Sequence, residues 1–372
     1  MTSKLFEPAR AGALALHNRV VMAPLTRNRS PRNIPNDMNR TYYAERATAG
    51  LIISEGTGIT ATAQGYIDVP GLYSAGQLDG WRQVTDAVHS KGGKIVVQLW
   101  HTGRISHTSL QPDGMAPVSV SGIRANARTF VRDETGEGAF AEVSQPRALK
   151  VEEFPGIIAD YCKAARAAVD SAGFDGVEVH VANGYLLDSF LREGINDRTD
   201  EYGGSIENRI RFPLEVVKAV AEAIGSDRVG VRISPVTPAN DAHDKDPQPV
   251  FDAFVRSLAA LDLAYIHIIE GSTGGDRNYS EADYPFDYKR LKQNYRDAGG
   301  KGAWMVNNGY TGAMAQEAVD SGYADLVAFG RPFVSNPDLV RRLKENAPLA
   351  LWRDDKLYGG GAEGYLDYPA LD

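Results

Sequence analysis

Eight short apolar runs, rich in β-branched residues and set between amphipathic helical stretches, predict an α/β fold. The alternation is that of a single (β/α)8 TIM barrel with an inserted excursion after the third strand. The runs fall at residues 20–25, 50–55, 94–100, 176–181, 229–234, 265–270, 303–308 and 326–330. Several are nearly continuous in Val, Ile and Leu, as strands buried on both faces must be. Between them Ile210, Leu214, Val217, Val220 and Ile224 recur at spacings of three and four, which predicts a helix over 208–225. Further helices are expected over 157–169 and 311–322, the latter closed by Gly322. A doubly wound open sheet would show the same alternation, but eight units favour closure.

The third and fourth runs stand too far apart for one helix. Residues 106–147 between them are rich in Ser, Pro and Gly and poor in periodic apolar residues. They read as an irregular excursion over the barrel mouth. The glycine-rich tail at 358–365 reads as another loop. No linker with a shifted composition appears, so residues 1–372 are expected to form one domain.

Composition narrows the function. The chain is 43% hydrophobic and 24% charged, which excludes disordered and coiled-coil classes. Its net charge of −8 makes nucleic acid and anionic membranes poor partners. No apolar run approaches the roughly 18 residues of a membrane span, and the first residues lack a signal-peptide core. A cytoplasmic setting is expected. The single cysteine, Cys162, excludes an intrachain disulfide and a Cys-rich metal site, and within a helix it is expected to be buried as a small apolar residue. The histidines are dispersed without metal-ligand spacing, and the Gly-x-Ser-x-Gly and Walker patterns are absent. Redox chemistry on such a chain requires an organic cofactor.

Barrel chemistry belongs at the C-terminal ends of strands, and here those ends are polar. The first run ends in Ala23-Pro24-Leu25-Thr26-Arg27, and the third carries Gln98 and Trp100 on one face. In the fourth, Val177 and Val179 suit the helix-facing side, which turns Glu178 and His180 inward. The fifth carries Arg232. Asn308-Gly309 and Gly330-Arg331 end the last two runs, where barrels often hold a phosphate on backbone N–H groups; two ordinary glycine turns would look the same. The segment His180-Val181-Ala182-Asn183-Gly184-Tyr185 reads either as a strand running into an Asn-Gly turn or as a pair of neutral donors with a nearby phenol. The second reading suits polarising a carbonyl or nitro oxygen and protonating the adjacent carbon.

Together these segments resemble the Old Yellow Enzyme family of FMN-dependent ene-reductases. Within it the chain is most similar to the bacterial branch of N-ethylmaleimide, glycerol trinitrate and pentaerythritol tetranitrate reductases. The resemblance spans nearly the whole chain. It includes Met22-Ala23-Pro24-Leu25-Thr26-Arg27, Gly65-Tyr66, Gln98-Leu99-Trp100-His101-Thr102-Gly103-Arg104 and His180-Val181-Ala182-Asn183-Gly184-Tyr185. It continues through Asn196-Asp197-Arg198-Thr199-Asp200 to Phe329-Gly330-Arg331 and Tyr358-Gly359-Gly360-Gly361.

The resemblance implies bound FMN and NADPH or NADH as reductant. Ala23, Pro24, Leu25 and Thr26 would line the flavin. Gly56 would lie against its ring, where a side chain would collide. Gln98 would meet its pyrimidine edge, and Arg232 the carbonyl edge that gains negative charge on reduction. Asn308, Gly309, Gly330 and Arg331 would hold the ribityl phosphate. His180 and Asn183 would bind the substrate oxygen, Tyr185 would supply the proton, and Tyr66, Trp100 and Tyr358 would wall the pocket. Arg128 and Arg132 match basic positions near the phosphates of the nicotinamide cofactor; solvated surface arginines fit them equally. The substrates implied are small activated alkenes, α,β-unsaturated carbonyl or nitro compounds, with nitrate esters or quinones as the alternative in the same site. On the residues alone, a cofactor-free aldolase or isomerase and a non-catalytic flavin-binding module compete. The lack of a strand-end lysine disfavours an aldolase, and polar donors over an open pocket disfavour a mere binding module.

Overall fold

The computed structural model describes residues 3–279 and 285–371. Eight parallel strands close into a barrel: β1 (Val20–Met22), β2 (Leu51–Gly58), β3 (Ile95–Trp100), β4 (Gly176–Val181), β5 (Val229–Ile233), β6 (Tyr265–Ile269), β7 (Ala303–Asn307) and β8 (Leu326–Phe329). Each strand pairs with its sequence neighbours, β8 with β1, so this is the (β/α)8 TIM barrel. Every strand residue is buried.

Alternation sorts these residues into two cores. Val177, Val179 and Val181 face outward and pack with helix residues such as Phe212, Val216 and Val220. Val21, Ile53, Val96, Tyr265 and Met305 fill the lower barrel. Its N-terminal end is plugged by a hairpin, Ala9–Ala11 with Leu14–Leu16, whose Ala11, Leu14 and Leu16 join that inner cluster. With apolar layers below, the polar side chains of the upper layer are left for the mouth.

The predicted helices form with shifted ends. The helix Ile206–Ile224 starts earlier because Ser205 caps it by accepting from the Asn208 N–H, and Gly225 closes it at φ 90°. The helix Gly312–Asp320 is capped by Thr311 and stops short of Gly322. The helix Phe154–Arg166 runs on into a π-turn, Ala167–Ser171. Cys162 on it is half-buried rather than buried, and its thiol is pushed up by burial.

The excursion after β3 is more regular than its composition suggests. Arg128–Arg132 pairs antiparallel with Gly138–Glu142, and Val118–Ser119 runs parallel to Arg147–Ala148. Thr129 and Val131 point inward on the hairpin, but an alternation of five residues is lost among the surrounding Ser, Pro and Gly. Ala125 and Val143 of this excursion pack with Ile105, just before it, against Tyr66 and Tyr185, so it does cover the mouth.

Candidate active site

The strand register stacks the polar residues at one level of the barrel. Gln98 of β3 lies opposite Glu178 of β4 and Gly56 of β2; His180 lies opposite Arg232, and Arg232 opposite His267. Because all take the inward phase of the pleat, their side chains meet in the interior. Gln98 donates to Glu178 at 2.8 Å, and His267 Nδ1 meets the other carboxylate oxygen at 2.8 Å. Burial alone would raise the Glu178 pKa, but His267, Arg232 and Gln98 outweigh it and hold the carboxyl below its usual value. The Arg232 guanidinium donates to Asn307 Oδ1 at 2.9 Å, while its Nε is buried with no partner among the described residues. Burial brings the Arg232 pKa down to about 10, so the group remains a cation at neutral pH.

On the mouth side of this layer His180 is joined by Asn183 and Tyr185. His180 is buried, and its Nδ1 has no partner among the described residues. Burial, reinforced by Arg232 and His267, pushes its pKa well below the ordinary value, so the imidazole is neutral. Asn183 sits in the left-handed region at φ 60°, in the turn that ends β4. Its N–H donates to Ser234 Oγ at 2.8 Å and its carbonyl accepts from Asn240 Nδ2 at 2.8 Å. The Tyr185 ring lies 5.3 Å from that of His180 and packs edge-on to Trp100 at 4.9 Å. Its hydroxyl is 3.0 Å from that of Tyr66, which stacks on Trp100 at 5.5 Å. Burial raises the Tyr185 pKa, opposed by hydrogen bonds from Tyr66 and Asn240. The phenol therefore stays protonated.

The remaining expected residues lie around the same mouth with differing freedom. Ala23 donates its N–H to Phe329 O at 3.0 Å, which carries Pro24, Leu25 and Thr26 onto the rim between β8 and β2. Gly56 is indeed a position where a side chain collides, but the collision is within the protein: a Cβ there would stand 2.4 Å from the Trp100 ring. The Asn308 side chain is spent inside the protein, donating to Glu270 O at 2.6 Å and Ser272 O at 2.8 Å. It can offer an anion only its backbone. Gly309 has φ 67°, and Gly330 precedes the short helix Arg331–Ser335. Arg331 is exposed and lies over the Trp352 ring at 5.7 Å.

Tyr358 is half exposed, yet close enough to act electrostatically on both Tyr66 and Tyr185. It is held there because Arg27 and Arg29 grip the tail. Arg27 lies beside the stacked pair of Tyr42 and Tyr365, its guanidinium carbon 5.3 and 5.0 Å from their ring centroids, and donates to the carbonyls of Leu357 and Gly364, each at 2.8 Å. Arg29 donates to the carbonyls of Gly361 and Lys356. On the hairpin, Arg132 is neutralised by Asp68 through two 2.9 Å bonds, and Arg128 donates to Phe140 O at 2.6 Å. Both are engaged as surface arginines are.

Several contributors to the site carry no mark in the sequence. Glu178 was legible only as an inward residue; its partner His267 is 89 residues away. Asn240, Thr237 and Thr273 lie on loops after β5 and β6, and no pattern marks them. Arg192 is buried against Asp188 and Asp244 at 3.0 and 3.1 Å, and Asp188 in turn accepts the Gly184 N–H at 2.7 Å. That triad braces the turn carrying Asn183.

Residues 4–350 match the family described as NADH:flavin oxidoreductase / NADH oxidase. Among curated relatives, 12-oxophytodienoate reductase 7 of Oryza sativa subsp. japonica is 44% identical, covering 99% of this chain and 94% of that protein. The 12-oxophytodienoate reductase 2 of Arabidopsis thaliana is 41% identical over 99% and 96%. Among solved structures, morphinone reductase in complex with tetrahydroNAD matches with a TM-score of 0.92 at 46% identity, covering 99% of this chain and 98% of that one. The old yellow enzyme homologue of Zymomonas mobilis matches with a TM-score of 0.92 at 42% identity, covering 99% of each. The expected bacterial branch is thereby corrected: these curated relatives are plant reductases. The motifs behind the resemblance crowd the strand ends that build the site, and they identify the family without dividing it.

Proposed function

The chain belongs to the NADH:flavin oxidoreductase / NADH oxidase family, the Old Yellow Enzymes, and is an FMN-dependent NAD(P)H oxidoreductase; from that premise we propose that it reduces small activated alkenes, with His180, Asn183 and Tyr185 acting on the substrate. The observation that carries this reading is the convergence of a neutral imidazole, an amide and a protonated phenol at the mouth of one barrel.

The residues present fit FMN. Arg232 offers a buried cation with an unpartnered Nε, and Gln98 stands two strands away, on the far side of β4. A Cβ on Gly330 would meet nothing nearer than Leu25 Cδ2 at 3.5 Å. Its smallness is thus not demanded by the protein, and it leaves room for a close backbone approach. In this reading Arg232 faces the edge of the ring that gains negative charge, Gln98 pairs with the pyrimidine edge, Ala23–Thr26 line the ring, and the Gly309 and Gly330–Arg331 backbone takes the phosphate. Bound there, FMN supplies the hydride, received from NADH or NADPH.

The side chains do the rest. His180 and Asn183 donate to the carbonyl or nitro oxygen of the substrate, drawing electron density from the conjugated carbon that receives hydride. Because His180 is held neutral, it stabilises the developing charge without surrendering a proton. Tyr185, its proton not required by Tyr66 when Tyr66 is the donor of their shared bond, protonates the α-carbon. Tyr66, Trp100 and Tyr358 enclose the substrate.

The test is the double variant His180→Ala, Asn183→Ala. It should retain FMN while enone reduction collapses, since each such donor contributes about 2.7–4 kcal/mol to transition-state stabilisation. Parent-like enone turnover in the double variant would refute the donor pair.

A further inference from the structure

Resting on that reading of Asn183 as a donor to substrate oxygen, we infer that Thr273 and Thr237 are positioning residues that fix which end of the Asn183 amide faces the substrate. An asparagine amide is nearly symmetric in shape, and its two ends carry opposite hydrogen-bonding character. A half-turn about its last bond would present an acceptor to the substrate's oxygen and repel it. Something must decide the direction.

The structure supplies a directional chain. Thr237 Oγ1 accepts from two backbone donors, Thr273 N at 3.2 Å and Ala239 N at 3.3 Å. Both its lone pairs are taken, so its hydroxyl can only give its proton onward, and it gives it to Thr273 Oγ1 at 3.0 Å. Thr273 then passes its own proton to Asn183 Oδ1 at 2.7 Å. Hydrogen bonds arranged head to tail polarise one another. The other polar groups of Asn183 are also occupied, its N–H by Ser234 Oγ and its carbonyl by Asn240 Nδ2. Only Nδ2 is left without a partner among the described residues, so the amide is a donor and nothing else.

Thr237 is buried, whereas Thr273 sits at the exposed rim, on the loop after β6. Replacing Thr273 therefore leaves the core intact. The relay reaches the substrate from β5 and β6, 54 and 90 residues beyond Asn183 in the chain for Thr237 and Thr273 respectively.

The experiment is a double-mutant cycle on the FMN-loaded enzyme. The dissociation constant of cyclohex-2-enone is read from the change in flavin absorbance on binding, alongside the split between KM and kcat. Thr273→Val should weaken binding by about two- to tenfold, the loss of one neutral hydrogen bond, with KM raised more than kcat is lowered. Thr273→Ser, which keeps the hydroxyl, should restore parent affinity. In an Asn183→Ala background the valine substitution should change nothing further, because its effect runs through that amide. Thr273→Ala serves the same cycle should the valine variant not fold. If Asn183→Ala alone leaves enone binding unchanged, the donor reading of Asn183 falls. If Asn183→Ala weakens binding but Thr273→Val does not, or weakens it equally in both backgrounds, that reading stands and the relay is overturned.

Discussion

The ring of Trp100 fills the space that a side chain at Gly56 would occupy: a Cβ there would stand 2.4 Å from Cε3 and 2.7 Å from Cδ2. Two neighbouring strands thus share one volume, and glycine on β2 is what allows the indole on β3 to stack on Tyr66 and meet Tyr185.

Gly56→Ala should therefore displace Trp100 rather than merely add a methyl group. Overpacking of this kind costs about 1–3 kcal/mol. The unfolding free energy from urea titration should fall by that amount, with a changed near-ultraviolet circular dichroism band for the indole. An alanine variant with parent stability and an unchanged aromatic spectrum would show that the methyl group is accommodated without displacing the indole.

Tyr185→Phe should separate the two half-reactions. Flavin reduction by NAD(P)H needs no proton from the phenol and should stay near the parent rate. Enone-driven reoxidation needs it, and losing a general acid typically costs about 10²–10⁴-fold. Nitroalkenes should suffer less, because the nitronate can take its proton later from water. Single-turnover flavin kinetics check each half. Equal loss in both would make Tyr185 structural, and unaffected enone reoxidation would remove it as the proton donor.

Arg192→Met should strip the buried carboxylates of Asp188 and Asp244 of their shared cation. Breaking a buried pair by removing one partner costs about 3–5 kcal/mol. Since Asp188 also holds the Gly184 N–H, enone affinity should fall with stability. Adding Asp188→Asn and Asp244→Asn should recover part of the stability. A methionine variant as stable as the parent would refute the bracing role of the Arg192 pairs.

Glu55 gives a dependence of stability on pH. It is fully buried, accepts from the Arg27 N–H at 3.3 Å and from Tyr43 at 3.3 Å, and burial pushes its pKa up to about 7 from 4.5. Between those values the native state holds a proton that the unfolded state has released. The stabilisation is therefore complete below about pH 4.5 and is lost as pH rises through about 7. At about 1.4 kcal/mol per pH unit, roughly 3 kcal/mol is at stake. Glu55→Gln should flatten the unfolding free energy across this window, as measured by urea titrations at pH 5 and 7.5. An identical slope in both proteins would place the Glu55 pKa near that of a free carboxyl.

Much of this protein is legible in its sequence. The eight strands are, because a strand buried on both faces must be apolar almost throughout and because inward residues recur every second position. The same period turns Glu178 and His180 into the barrel and puts Gln98 and Trp100 on one face. The excursion hairpin is not legible, since five alternating residues leave too short a trace. Neither are the branch of the family or the partners that complete the site. Thr273 reaches Asn183 across 90 residues, His267 reaches Glu178 across 89, and Arg27 holds the tail at Gly364 across 337. Local periodicity follows from the repeat of the backbone, so the sequence displays it directly. These bonds depend instead on where loops of no regular period return over a closed barrel, and only the parallel pairing of strands four, five and six sets their ends side by side beneath those loops.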